Sequence, residues 1–308
     1  MTASLAPWAW IPIVIWAAFA QTVRNATQRT LVAEVGTLAA TLVRFLYGLP
    51  FALLWLGLLY LLPDAPRVLP TFSAAYFGWI TLGAVAQIVA TACLLAAMKE
   101  RNFIVAVVYS KTEVLQVAML AAVLLHEFPG WLTGGAMLLA TIGVMLLSAR
   151  SAKVPGAAAD SWLNRTAVYG LASGAAFAVS AVALRGASLL LTDTSAWMAG
   201  GWGVVWAQTV QSLLLGGWLA FSAPKSLVAI TRAWKLSLLA GMMGALASIG
   251  WFTAFAMQSA AEVRTLGLIE VFFSYVVSRR LFREKLSRHE SIGMALVGIG
   301  LVVVCLGV

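Results

Sequence analysis

Seven ionisable side chains lie inside otherwise apolar stretches: Arg24, Arg29, Arg44, Lys111, Glu113, Arg264 and Glu270. A charge at the centre of a bilayer costs about 2.5–3.5 kcal/mol on insertion scales, so residues of this kind are kept where they bind or move something. Five of the seven are cations and two are anions, a local excess of three positive charges. The excess fits receipt of a carboxylate by Arg24, Arg44 or Lys111, because charge-assisted hydrogen bonds to carboxylates are strong and Arg makes them in pairs. A zwitterion such as an amino acid would also use Glu113 or Glu270 for its ammonium group.

Spacing groups these residues. Gln21, Arg24, Asn25, Gln28 and Arg29 follow i, i+3, i+4, i+7 and i+8, one face of a helix that must turn inward in a membrane. The plainer alternative ends the span near Gln21 and leaves the stripe at the interface. Thr37, Thr41 and Arg44 share a second face, although Arg44 could snorkel outward. Further on, Glu113 and Gln116 are neighbours at i, i+3, while Lys111 points about 200° away from Glu113 on a continuous helix. Lys111 then needs a companion elsewhere, with Tyr109 and Glu270 as candidates. Glu270 and Ser274 share a face, and Arg264 stands near the start of its helix, where burial is less secure. Glu113 and Glu270 admit two roles. They tie segments together as a register-fixing buried pair, or one of them titrates as its environment alternates between wet and dry.

The elements that hold these residues are long and apolar. Of 308 residues, 62% are hydrophobic and 10% charged, and the mean hydropathy is +0.95. Soluble domains average about 25% charged residues, so a soluble enzyme is excluded. Ten stretches of about the length needed to cross a bilayer occur at 8–30, 37–62, 72–98, 103–125, 131–149, 166–190, 195–221, 234–257, 262–282 and 291–307. No strand alternation appears, so these are predicted helices. The first stretch is expected to stay as a span, because no positive region precedes it as in a cleavable signal. Connections are short and punctuated, as at 62–67, 127–130 and 222–225. The longest, Arg150 to Arg165 with Pro155 and Gly156, reads as a linker at the midpoint. Cys93 and Cys305 read as small buried hydrophobes, with no disulfide framework or metal site.

A shift of 157 residues superposes Glu270 on Glu113, Glu284 on Glu127 and Gly300 on Gly143. Each half, 1–150 and 151–308, would then hold five spans. An odd number forces the second half to insert upside down, as in the inverted repeats of secondary transporters. The expected fold is therefore an all-α polytopic membrane protein of ten transmembrane helices, arranged as two five-helix inverted-topology repeats.

The segments Glu127 to Gly143 and Glu284 to Gly300, with Trp16 in span one and Arg44 in span two, resemble the EamA domain. That domain is the repeat unit of the drug/metabolite transporter superfamily, and the resemblance covers the chain as two copies. It implies alternating access and a cargo of amino acids, their derivatives or other small metabolites. It also implies cytoplasmic termini. The second copy departs from the first in span six, where Arg185 has few polar neighbours, so no symmetric site is carried onto that helix.

Outside the seven buried charges, thirteen Lys and Arg fall at odd-numbered connections and two, Arg67 and Arg185, at even ones. The positive-inside rule then puts odd connections in the cytoplasm and both termini outside, against the resemblance. On this reading the +9 charge sets topology in an inner (plasma) membrane and is no sign of nucleic acid. The expected function is secondary transport of a small polar metabolite, coupled to protons or exchange. The substrate-binding residues are expected to be Gln21, Arg24, Asn25, Gln28, Arg44, Tyr109, Lys111, Glu113, Arg264 and Glu270. Trp16, Trp79, Trp202, Trp206 and Trp251 motivate an alternative, an aromatic cage for quaternary ammonium cations closed by Glu113 or Glu270; packing or interfacial roles compete for most of these rings. An intramembrane enzyme is disfavoured. His126 and His289 each precede a Glu but form no zinc motif, and no phosphate-binding glycine loop is present. No cofactor is expected, the partners are the bilayer and a small molecule, and the chain acts as monomer or homodimer.

Overall fold

The computed structural model describes residues 8–62, 69–100, 103–151, 165–281 and 290–306. Arg67, Arg101, Pro155, Gly156, Glu284 and His289, with the other loop cations Lys153, Arg283, Lys285 and Arg288, lie outside the described residues. All secondary structure among the described residues is helical. In order it is α1 (Trp10–Val35), α2 (Thr37–Leu46), α3 (Leu49–Tyr60), α4 (Ala74–Glu100), α5 (Phe103–Ser110), α6 (Glu113–Leu124) and α7 (Trp131–Ser151). Then come α8 (Arg165–Leu189), α9 (Ala196–Ser222), α10 (Pro224–Arg232), α11 (Trp234–Met257), α12 (Ala260–Leu266), a 3-10 turn Gly267–Ile269, α13 (Glu270–Arg280) and α14 (Glu290–Leu306).

Six helical stretches among the described residues are long and apolar enough to cross a membrane: Thr37–Tyr60, Ala74–Glu100, Ala106–Leu124, Arg165–Leu189, Ala196–Ser222 and Trp234–Met257. Large apolar side chains such as Leu54, Leu213, Trp218 and Phe221 are exposed around the outside. A surface of that kind belongs in lipid rather than water, and the chain is a helical, multi-pass membrane protein. α1 is 26 residues long but stays outside the set of six, since its polar stripe dilutes its hydropathy. α10 is an additional short helix within a connection.

Three of the expected spans are interrupted, and each break has an identifiable cause. Between α2 and α3, Pro50 lacks a backbone donor, and the N–H groups of Phe51 and Ala52 turn to the Gly48 carbonyl. Gly48 and Gly241 let the two backbones meet there, because a Cβ on Gly241 would stand 2.4 Å from Tyr47 Cβ. Between α5 and α6 the hydroxyls of Ser110 and Thr112 donate to the Val107 and Tyr109 carbonyls, satisfying groups that the break frees. Before α13, Gly267 makes room for the Trp251 ring, and the chain tightens into its 3-10 turn. Ser259 caps the start of α12, its Oγ accepting from the Glu262 N–H and donating to the Glu262 carboxylate.

Lengthwise packing pairs α4 with α8, α1 with α11, and α7 with α14. Small residues set these approaches, as they do where helices meet in lipid. A Cβ on Gly250 would stand 2.8 Å from Ala17 Cβ, and one on Gly143 would stand 2.7 Å from the Gly293 carbonyl and 2.9 Å from Val297 N. One on Gly300 would stand 2.9 Å from the Ala136 carbonyl and from Ala140 Cβ. Gly143 and Gly300, Ala136 and Gly293, and Ala140 and Val297 are each 157 positions apart, so α7 and α14 offer each other the same patch. Cys93 and Cys305 are free and half-buried, more open than the sequence suggested, because their helices carry them toward the outer face.

Candidate functional site

The buried charges converge. Gln21, Arg24, Asn25 and Gln28 are all at most 3% exposed on α1, so the helix continues through the stripe and turns it inward. Glu270 opens α13 and receives three donors. Gln21 Nε2 donates to its Oε2 at 2.6 Å, Asn25 Nδ2 donates to its Oε1 at 2.9 Å, and Lys111 Nζ lies 2.5 Å from Oε2. Trp251 Nε1 donates to Gln21 Oε1 at 2.9 Å and fixes that amide. Asn25 Oδ1 accepts from Arg24 Nη2 at 2.7 Å and Nε at 3.2 Å, so Asn25 bridges Arg24 and Glu270.

Glu113 is held differently. Its Oε1 is 3.6 Å from Lys111 Nζ and 3.7 Å from Arg264 Nη1, longer than hydrogen bonds, and its buried Oε2 has no partner among the described residues. Glu113 and Glu270 are each the first residue of a half-helix, where the partial positive charge of the helix end favours an anion. Arg264 lies among three rings, 4.9 Å from the centre of Trp251, 5.6 Å from Phe177 and 5.7 Å from Phe255. Cation–π attraction of this kind reaches about 2 kcal/mol when desolvated.

Two sequence expectations are corrected here. Lys111 and Glu113 do not point apart, because Lys111 and Thr112 form the break between two helices and the wheel geometry does not run across it. Arg264 is buried, since the short α12 packs chiefly against α6 and α14 and the guanidinium lies among rings contributed by α8 and α11. Of the proposed companions for Lys111, Glu270 is the one in contact; Tyr109 turns to α8, where its Cβ crowds Gly170. Ser274 follows Glu270 inward, and its hydroxyl has no partner among the described residues. Arg44 is buried and donates to Thr91 Oγ1 at 2.7 Å, so it does not snorkel. Gln28 Nε2 donates to the Ala40 carbonyl at 2.6 Å. Arg29 is half-buried, 5.8 Å from the centre of the Phe103 ring.

The aromatic cage is not assembled. Trp16 is 46% exposed and leans on Phe19 at the outer face. Trp202 and Trp206 join Phe72, Tyr60 and Phe77 in a separate aromatic cluster, with Trp202 Nε1 donating to Tyr60 Oη at 3.1 Å. Trp79 packs on Gly186. Of the five tryptophans, Trp251 alone reaches the charged cluster, and Arg264 occupies its ring face.

A second ion pair lies at one end of the bundle. His126 takes a positive φ of 57° and ends α6, with the Leu125 and Glu127 N–H groups both donating to the Ala121 carbonyl. The turn aims Glu127 at Arg185, whose Nε donates to Oε1 at 2.7 Å and whose Nη1 donates to the Phe255 carbonyl at 2.6 Å. Arg185 therefore has the polar neighbours that its own helix did not show, contributed by the ends of α6 and α11. Thr91, Phe177, Phe255 and Gln208 also escaped the sequence reading. Gln208, Gln211 and Gln87 carried a signal as amides within apolar spans; the others look like any core residue.

No family model and no curated protein matches the chain. One solved structure, described only as the crystal structure of a protein, is similar over 96% of this chain and 99% of its own, at 14% identity and a TM-score of 0.65. That likeness concerns the fold.

Proposed function

We propose that the chain is a secondary transporter that moves a small polar metabolite across a plasma membrane by alternating access. The observation that carries this reading is the buried network of Lys111, Glu270, Glu113 and Arg264 at the N-termini of two interrupted helices. Interrupted helices with ionisable groups at mid-depth are the architecture by which carriers hold substrates and coupling ions. A protein needing only stability gains little from a buried network of this kind, because apolar replacements are often as stable.

The reading extends to ten spans in two five-helix units of opposite orientation, with the resemblance to the drug/metabolite transporters as the family expectation. The reciprocal contact of α7 and α14 supports it. So do the equivalent pairings of α1 with α11 and α4 with α8, which a two-fold swap of the halves interchanges. The two carboxylates divide the work. Glu270, with three donors, holds the framework; Glu113, with one bare oxygen, takes a proton or a substrate ammonium. The substrate is a carboxylate or zwitterion. The quaternary-ammonium alternative loses support because four of its five rings lie apart from the carboxylates and Arg264 occupies the face of the fifth, Trp251.

Reconstitution in liposomes tests this. Wild-type protein exchanges a labelled amino acid or organic acid against its unlabelled form, and Glu113→Gln does so at a strongly reduced rate. Normal exchange by both Glu113→Gln and Glu270→Gln would overturn the assignment of the site.

A further inference from the structure

Within the network of the proposed site, Lys111 and Arg264 balance Glu113 and Glu270, which leaves Arg24 and Arg44. They lie 0% and 1% exposed on α1 and α2. Their stems pass either side of Gly244 in α11, where an added Cβ would stand 3.1 Å from Arg44 Cγ and 3.4 Å from Arg24 Cδ. Neither has a carboxylate within ion-pair distance among the described residues. Their partners are neutral: Asn25 Oδ1 for Arg24 and Thr91 Oγ1 for Arg44. Arg24 Nη1 and Arg44 Nε are buried donors without an acceptor among the described residues. Gln208 on α9 is 2% exposed, and neither of its amide atoms has a partner among the described residues. It lies beside Gly48, one turn beyond Arg44, with its Nε2 3.1 Å from where a Gly48 Cβ would stand.

A buried cation without a counter-charge costs several kcal/mol, and two close together repel as well. We propose that Arg24 and Arg44 form an anion subsite for the carboxylates of a small acidic substrate, one with two negative charges, with Gln208 hydrogen-bonding its body. Each guanidinium comes from its own helix with its own neutral partner, an arrangement for two planar carboxylates rather than one compact tetrahedral anion. Gly244, with no side chain, lets both arginine stems lie against α11. The inference rests on the transporter reading and narrows its substrate to dicarboxylates, acidic amino acids included.

The test uses the full chain in liposomes and nanodiscs, with succinate, inorganic phosphate, L-leucine and tetraethylammonium as probes. Succinate should exchange across the membrane and raise the unfolding temperature in a saturable manner. Arg44→Lys, which keeps the charge and loses the fork, and Gly244→Ala, whose methyl presses on both arginine stems, should each weaken succinate binding at least tenfold. Their unliganded folding, read by circular dichroism and size-exclusion chromatography, serves as the control, and Gln208→Leu is the further variant should either fail to fold. Exchange of leucine or tetraethylammonium without succinate would overturn the subsite and leave the transporter reading standing. Stabilisation by phosphate and not by succinate would overturn the assignment to carboxylates. No exchange and no stabilisation with any probe would overturn both readings.

Discussion

Replacing Glu270 by Gln tests the heart of the buried network. The carboxylate accepts from Gln21, Asn25 and Lys111 at once. A Gln offers one oxygen and one NH2 group. Wherever the NH2 sits, it faces a donor: Asn25 on one side, or Gln21 and Lys111 on the other. Asn25 cannot turn its amide over without withdrawing the oxygen that Arg24 uses. Breaking a buried ion pair by removing one partner costs about 3–5 kcal/mol. Lys111 keeps Glu113 at 3.6 Å, which softens the loss, so about 3 kcal/mol is expected, roughly a 150-fold shift in the folding equilibrium. Reversible unfolding in mixed micelles, followed by tryptophan fluorescence, measures it. In a double-mutant cycle with Lys111→Met, the second substitution should cost at least about 1.5 kcal/mol less once Glu270 is gone. A cost below about 0.5 kcal/mol for Glu270→Gln, with no coupling to Lys111, would refute the reasoning, since exposed pairs of that strength are common.

Glycine substitutions separate close contacts from open ones. Gly241→Ala drives a methyl into Tyr47 and should destabilise by about 1–3 kcal/mol, whereas Gly217→Ala, with open space around it, should leave unfolding unchanged or stabilise by up to about 1 kcal/mol. Losing the Glu127–Arg185 pair through Glu127→Gln should loosen its end of the bundle by about 1 kcal/mol, the worth of a partly exposed pair. A cysteine at Ser188 would then react with a membrane-impermeant thiol reagent about fivefold faster; an unchanged rate would show that the pair closes nothing. A fluorescent reporter fused after Val308 should stay dark if the loop cations face the cytoplasm, and a bright signal would reverse the charge-based orientation.

Helix positions were legible because hydropathy and turn residues repeat at the scale of a bilayer. The inward face of α1 was legible too, since five polar residues at helical spacing share one face, and the unbroken helix through the stripe rules out the interfacial alternative. The breaks were not. Lys111-Thr112 and Gly267-Leu268-Ile269 contain no proline; the first is marked by hydroxyl groups folded back onto carbonyls one turn earlier, which any Ser or Thr in a helix can do, and the second by a tertiary contact, a tryptophan ring from α11 laid over a glycine. Missing the first break reversed the geometry of Lys111 and Glu113. Burial of Arg264 was equally hidden, because Phe177, Trp251 and Phe255 come from two other helices. Arg185 was read as a loop cation for the same reason: its partner is 58 residues away.

The matched patches of α7 and α14 have a consequence for assembly. A contact in which each side offers the residues found 157 positions away on the other can be formed by two separate polypeptides as readily as by one. Cleaving the gene between codons 151 and 165 should therefore yield two fragments that recombine when expressed together. On the proposed inverted-repeat reading, recombination requires antiparallel insertion, so loop charges that give both fragments the same orientation would leave each without a mate.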